Sequence, residues 1–134
     1  MRTALLLLIS MVSAADPAAD VLKVFRDAAE ALTNDDAVAF LDNFDREMPG
    51  YTTLQTNIEG MLAAHEVGST IEVVSEEGDN QTRNVELDWV LLATRKDAIN
   101  SAQETRRQVV KCRLERRGKR WKITRLQPVD LFRY

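Results

Sequence analysis

The sequence predicts an α+β domain, with three helices in its first half and an antiparallel sheet of about four strands in its second. Two observations carry that expectation. Apolar residues recur at helical spacing from Val21 to Leu62, and the period drops to two after Glu66. The alternating stretches are separated by polar, turn-forming breaks that pair them as hairpins. A chain of 134 residues is enough for one domain with a single core.

The first fifteen residues, MRTALLLLISMVSAA, stand apart from that domain. Arg2 supplies a positive start, Ala4 to Val12 an apolar run, and Val12-Ser13-Ala14-Ala15 a small-residue cleavage site. The pattern reads as an export signal over residues 1–15, with the exported form beginning at Ala15 or Asp16. The run is far short of the ~20 residues a membrane-spanning helix needs. A retained membrane anchor is therefore the weaker alternative, and the periplasm or the exterior is the expected location. Residues 16–134 form the domain.

The first helix opens at Asp16 as N-cap with Pro17 in the first helical position, a favoured pairing. Val21, Leu22, Phe25, Ala28, Ala29 and Leu32 mark its apolar face. A second, shorter helix is expected within TNDDAVAFLDNF, capped by Asn34 or Asp35, with Val38, Phe40, Leu41 and Phe44 as its apolar positions. Met48-Pro49-Gly50 interrupts the pattern. A third helix follows over roughly Thr52 to His65, with Leu54, Ile58, Met61 and Leu62 as its stripe.

Val67, Ser69, Ile71 and Val73 then alternate with polar residues until EEGDNQ breaks the run as a hairpin loop. Val85, Leu87, Trp89 and Leu91 form the inward phase of a long second strand. After the polar connection RKDAINSAQE, the third strand turns Gln108, Val110, Cys112 and Leu114 inward. Arg117-Gly118-Lys119 makes a tight turn, and Trp121 and Ile123 resume the inward phase. Leu126 breaks the alternation, which points to a bulge. Cys112 is the only cysteine, so no internal disulfide stabilises the chain and the thiol reads as a small core hydrophobe.

A hydrophobic content of 45% excludes disorder, and a net charge of −3 gives no global attraction for nucleic acid or an anionic membrane. The charge is nevertheless uneven: ten basic residues lie between Arg106 and Arg125 against Glu115 alone. Those around Trp121 fall on a turn and on the outer face of paired strands, with Glu72, Glu86 and Asp88 on neighbouring strands as partners. A nucleic-acid platform needs exposed aromatics between its basic residues. Trp121 is in the inward phase, so no nucleic-acid partner is expected.

Three helices followed by a meander ending in GKRWKITRLQP resemble the NTF2-like (cystatin-like, SnoaL-type) superfamily. The opening VFRDAAEALTNDDAVAFLDNFD is similar to its first two helices, and the likeness runs from about Asp16 to Asp130. The resemblance implies a curved sheet wrapped around a long helix as a cone with an apolar cavity. Its members include isomerases, dehydratases, cyclases and proteins without known catalysis.

No catalytic set of the kind such enzymes place inside the cone is found here. His65 is the only histidine and sits at a helix C-terminus, where a cation is favourable. Asp42 and Asp45 read as solvated. No Gly-rich phosphate loop, nucleophile elbow or metal-ligand spacing appears, so no cofactor and no metal are expected.

The candidates for a ligand-lining surface are Phe25, Tyr51, Trp89, Gln108 and Arg125. Arg125 points inward, as an anion handle, unless a bulge before Leu126 turns it to solvent. The primary expectation is an exported, non-catalytic domain that binds a small apolar or anionic ligand or a protein partner. One alternative is an assembly module that dimerises through the sheet face carrying Val90 and Leu92, an apolar spot in the outer phase. The other is an isomerase- or dehydratase-type enzyme with Tyr51, His65 or an acid as proton carrier.

Overall fold

The computed structural model describes residues 16–97, 99 and 102–134. The export signal expected over residues 1–15 lies outside them. Among the described residues, no helix is long and apolar enough to cross a membrane.

Helix α1 spans Pro17–Thr33, and Asp16 caps it by accepting from the Ala18 amide at 3.1 Å. It buries Val21, Phe25, Ala28, Ala31 and Leu32 and lies against the first strand. Asn34 closes this helix instead of opening the next, and Asp35 follows with φ 60°, a conformation that aspartate tolerates better than most residues. The N-cap of helix α2, Ala37–Leu41, is accordingly Asp36, whose carboxylate accepts from the Ala39 amide at 2.9 Å. So short a helix buries one side only. Phe40 and Leu41 go inward, whereas Val38, expected on the apolar face, is 80% exposed.

Gly50, at φ 83°, starts helix α3, Tyr51–Ala64, which buries the expected stripe of Leu54, Ile58, Met61 and Leu62. His65 ends it by opening strand β1, His65–Gly78. Strands β2 (Thr82–Arg95), β3 (Glu104–Arg117) and β4 (Arg120–Gln127) follow in an antiparallel sheet ordered β1-β2-β3-β4. The β1–β2 turn needs its glycine. Gly78 has φ 146°, and a Cβ there would sit 2.2 Å from the Thr82 carbonyl oxygen.

One sheet face forms the core, through Val85, Leu87, Trp89 and Leu91 of β2, Val110, Cys112 and Leu114 of β3, and Trp121, Ile123 and Leu126 of β4. Strand β1 contributes less than its alternation promised. Val67 is buried and Ile71 half-buried, but Val73 is 43% exposed. It precedes a bulge that shifts the register between Val73 and Ser75, at the end of an edge strand. The bulge expected before Leu126 is present, because the β3–β4 register shifts at Thr124.

Two features close the structure from a distance. Residues 43–45 run beside β4, with the Ile123 amide donating to the Asn43 carbonyl and the Asp45 amide to the Ile123 carbonyl, each at 2.9 Å. Beyond β4, a 3₁₀ turn at Val129–Phe132 folds back over the core face. It leaves Phe132 fully buried and Leu131 5% exposed.

The cations of the last hairpin find their carboxylates mainly on the 42–45 segment. Arg117 binds Asp45 at 2.8 Å and Glu115 at 3.0 Å, and Arg120 binds Asp42 at 3.0 Å. The Glu47 amide and then Arg117 hold the Asp45 carboxyl below the usual range, and Arg117 does the same for Glu115.

Phe132→Ala is expected to cost about 3–5 kcal/mol, the range for emptying a buried aromatic site. Chemical denaturation measures it, and an unchanged midpoint would remove the 3₁₀ turn from the core. For Arg117→Met the sign follows from lowered folded-state pKa values. The stabilisation is present above the ordinary carboxylate range and is lost as pH falls through the lowered values. The variant should unfold slightly earlier than the parent at neutral pH and together with it under strong acid. A gap that persists in acid would point to lost packing instead of lost charge.

Candidate functional site

The interior of the curved sheet is organised around Trp89. Its ring meets Phe132 edge-on at 5.3 Å between centroids and Phe40 at 6.4 Å, and Phe40 in turn meets Phe44 at 5.1 Å and Phe132 at 5.6 Å. Trp89, Phe40 and Phe132 are each fully buried, as is Phe25 on α1 to within 1%. The Trp89 indole N–H donates to the Ser69 hydroxyl at 2.8 Å, which satisfies the one polar atom of the ring.

Little else in this interior is polar. The Asn43 amide donates to the Ala39 and Phe40 carbonyls at 3.1 Å each. Burial of Cys112 pushes its thiol pKa far up, which keeps it protonated and unreactive. Among the described residues, no group of three or more His, Cys, Asp or Glu side chains is arranged to hold a metal ion.

The five expected lining residues do not converge. Phe25 and Trp89 belong to the packed core. Tyr51 is half-buried at the start of α3, on a separate groove of about 450 Å³ with Gln55, Asp45, Arg117 and Lys122. Gln108 pairs with Trp89 in register and so keeps the inward phase, yet it is exposed, and its amide reaches only the neighbouring Val109 carbonyl at 3.4 Å. Arg125 faces outward beside Arg113, because the extra residue at Thr124 reverses its phase.

His65 lies where the C-terminal residues close the structure. Its ring stands 5.0 Å from that of Tyr134, and its Nδ1 lies 3.3 Å from the Met61 carbonyl oxygen. The Arg106 guanidinium sits 3.8 Å over the Tyr134 ring and donates to the Leu131 and Arg133 carbonyls. Burial pushes the Tyr134 hydroxyl pKa up.

The opposite sheet face presents a different chemistry. Val90 and Leu92 are half-buried there, and Val109, 45% exposed, stands diagonally from Val90. Val109 extends the apolar spot, and its place in the outward phase between Gln108 and Val110 is the signal that could have found it. Beside it Arg107 grips Asp88 through both carboxylate oxygens, at 2.6–3.1 Å, and lowers the pKa of that carboxyl. Acids cluster on the β1–β2 half of this face (Glu72, Glu86, Asp88), and cations on the β3–β4 half (Arg107, Lys111, Arg113, Arg125).

No protein-family model and no curated protein sequence matches the chain. Solved structures do. A conserved protein from Planctomyces limnophilus superposes with a TM-score of 0.72 at 10% identity, over 81% of this chain and 91% of its own. An NTF-2 like protein of unknown function from Shewanella oneidensis gives 0.64 at 14% identity, over 83% and 97%. A type 2 hexachlorocyclohexane dehydrochlorinase gives 0.64 at 15% identity, over 81% of each chain. Enzymes and proteins of unknown function thus share this architecture, and likeness at such low identity speaks for fold alone. Three helices on a four-stranded antiparallel sheet, superposing on these structures, give the chain the NTF2-like fold.

Proposed function

We propose that the chain is an exported, non-catalytic NTF2-like domain that works by binding a protein partner through the outer face of its sheet, with a second copy of itself as that partner. The observation that carries this reading is the aromatic filling of the interior. Trp89, Phe40 and Phe132 occupy the space in which a cone-shaped fold would hold a ligand, and none of them carries an ionisable group. Proton-transfer chemistry needs a titratable side chain within hydrogen-bonding reach of the substrate. Tyr51 and His65, the two named residues among the candidates for that role (an acid being the third), stand outside this cluster.

The outer face has the properties an interface requires. Three strands of 14 residues and one of 8, at about 3.3 Å per residue and about 4.8 Å apart, give a surface roughly 45 Å long and, where β4 adds to it, about 14 Å wide. That is of the order a standard interface buries on each partner. Val90, Leu92 and Val109 supply an apolar centre, and the charged residues around them a polar rim. A two-fold axis parallel to the strands lays the acidic β1–β2 half of one copy on the basic β3–β4 half of the other. An axis across the strands would oppose like charges.

Val90→Lys, which sets a cation on the half that meets the partner's cations, should therefore dissociate the dimer without unfolding the protomer. A charge buried at an interface without a partner costs about 3 kcal/mol or more, some 100-fold in the dimerisation constant. Sedimentation velocity over a concentration series, with a thermal melt of each form, reads both quantities. A parent protein that stays monomeric at the highest soluble concentration sinks the proposal.

A further inference from the structure

The outer face carries charges that nothing within one protomer answers. Glu86 on β2 and Lys111 on β3 are direct cross-strand neighbours in the sheet register. They nevertheless form no ion pair, with each other or with any other of the described residues. The pairs this face does make are Arg107 with Asp88 and Arg113 with Glu115. Glu86 and Lys111 line one groove of about 260 Å³ with Glu77 of β1 and Arg125 of β4. Arg113 and Arg125 stand directly opposite each other there, and like charges so placed are destabilising. The basic side of the groove therefore calls for carboxylates from outside the protomer.

The register arranges this face in rows. Val90 stands beside Arg107 in one row, Asp88 beside Val109 in the next, and Glu86 beside Lys111 in the one after. Arg107 reaches diagonally to Asp88 and donates to both its oxygens, so that pair is complete within one copy. The other diagonal, Val90 and Val109, is the apolar centre. A two-fold axis parallel to the strands, running between β2 and β3, carries β2 of one copy onto β3 of the other at the same height. In the two middle rows the valines of both copies then alternate and cover one another. One row further, about 6.6 Å along the strands, each Glu86 faces the partner's Lys111.

We infer that a second copy completes a ring of four alternating charges, in which Glu86 of each protomer pairs with the partner's Lys111. The inference rests on the outer-face dimer proposed above and adds the contact that sets its register. Docking places each carboxylate between two ammonium groups and each ammonium between two carboxylates. Burial of the valines is non-directional and does not by itself choose an orientation. The charges do, because an axis across the strands sets β2 on β2 and leaves the ring unformed. Glu86 is already half-buried in one protomer, so docking desolvates it further and makes its pairing matter.

Charge reversal tests the ring. Glu86→Lys makes all four positions cationic, and Lys111→Glu makes all four anionic. Each variant should self-associate about tenfold more weakly than the parent in sedimentation over a concentration series, because two attractive pairs become repulsive. An equimolar mixture of the two, one of them fluorescently labelled, should form a mixed dimer about as tightly as the parent forms its own. The double variant carrying both reversals should regain the homodimer. Rescue also controls for folding, since two misfolded chains would not restore one another. If the parent dimerises and neither reversal changes its dissociation constant, the inference is overturned while the outer-face reading stands. Weakening without rescue on mixing overturns it as well, because the charges then matter without meeting. A parent that stays monomeric removes the reading and the inference together.

Discussion

A sheet that curves around helices encloses a volume, and everything else about such a fold depends on what fills it. Here Trp89 sets the terms. It occupies the middle of β2 and needs apolar neighbours for its ring and an acceptor for its N–H. Ser69 on the adjoining strand supplies the acceptor, while Phe40 and Phe132 supply the neighbours. An interior packed in this way has a low effective dielectric and disfavours any charged form within it, as the raised thiol pKa of Cys112 illustrates. The same packing that stabilises the domain keeps the groups needed for proton transfer out of its centre.

The charged residues do a separate job at the margins. β4 would otherwise be an open sheet edge, and residues 43–45 cover it by two backbone hydrogen bonds to Ile123. Arg117, Arg120 and Lys122 then tie the hairpin to Asp42 and Asp45 across the same seam. Each exposed pair contributes little alone. Their collective effect is positional, since they fix how the α2–α3 connection meets the sheet. The basic stretch that stands out in the sequence is in large part this seam.

How much of this could be read from residues follows from the range of the interactions involved. Local patterning was legible: the Asp16 cap, the α3 stripe and the inward phases of β2 and β3 all rest on neighbours within a turn or a strand. The bulge before Leu126 was legible too, and with it the condition under which Arg125 faces solvent. What escaped depends on distant contacts. Phe132 follows a proline and shows no periodicity, and only the fold brings it to Trp89. Gln108 keeps its phase but stays exposed, because phase says which way a side chain points and not whether anything covers it. Asp42 is exposed as expected, but the cations that it and Asp45 bind lie more than 70 residues away in sequence, beyond any local pattern.

That distinction also governs what can be carried over from the structures this chain resembles. A backbone shared with a dehydrochlorinase at 15% identity establishes a common shell. Chemistry belongs to the lining, which is set by a few side chains that a superposition of backbones does not compare. In this chain the interior is taken by aromatic rings, three of them fully buried around one another. Opening a ligand space there would mean displacing Phe132, together with the hydrogen bonds that Asn57 and Arg106 make to its segment. Recognition at the surface meets no such barrier: the outer sheet face is accessible with the core intact. On the reading proposed above, a filled cone leaves recognition to the outside of the fold, where charge placement decides the partner.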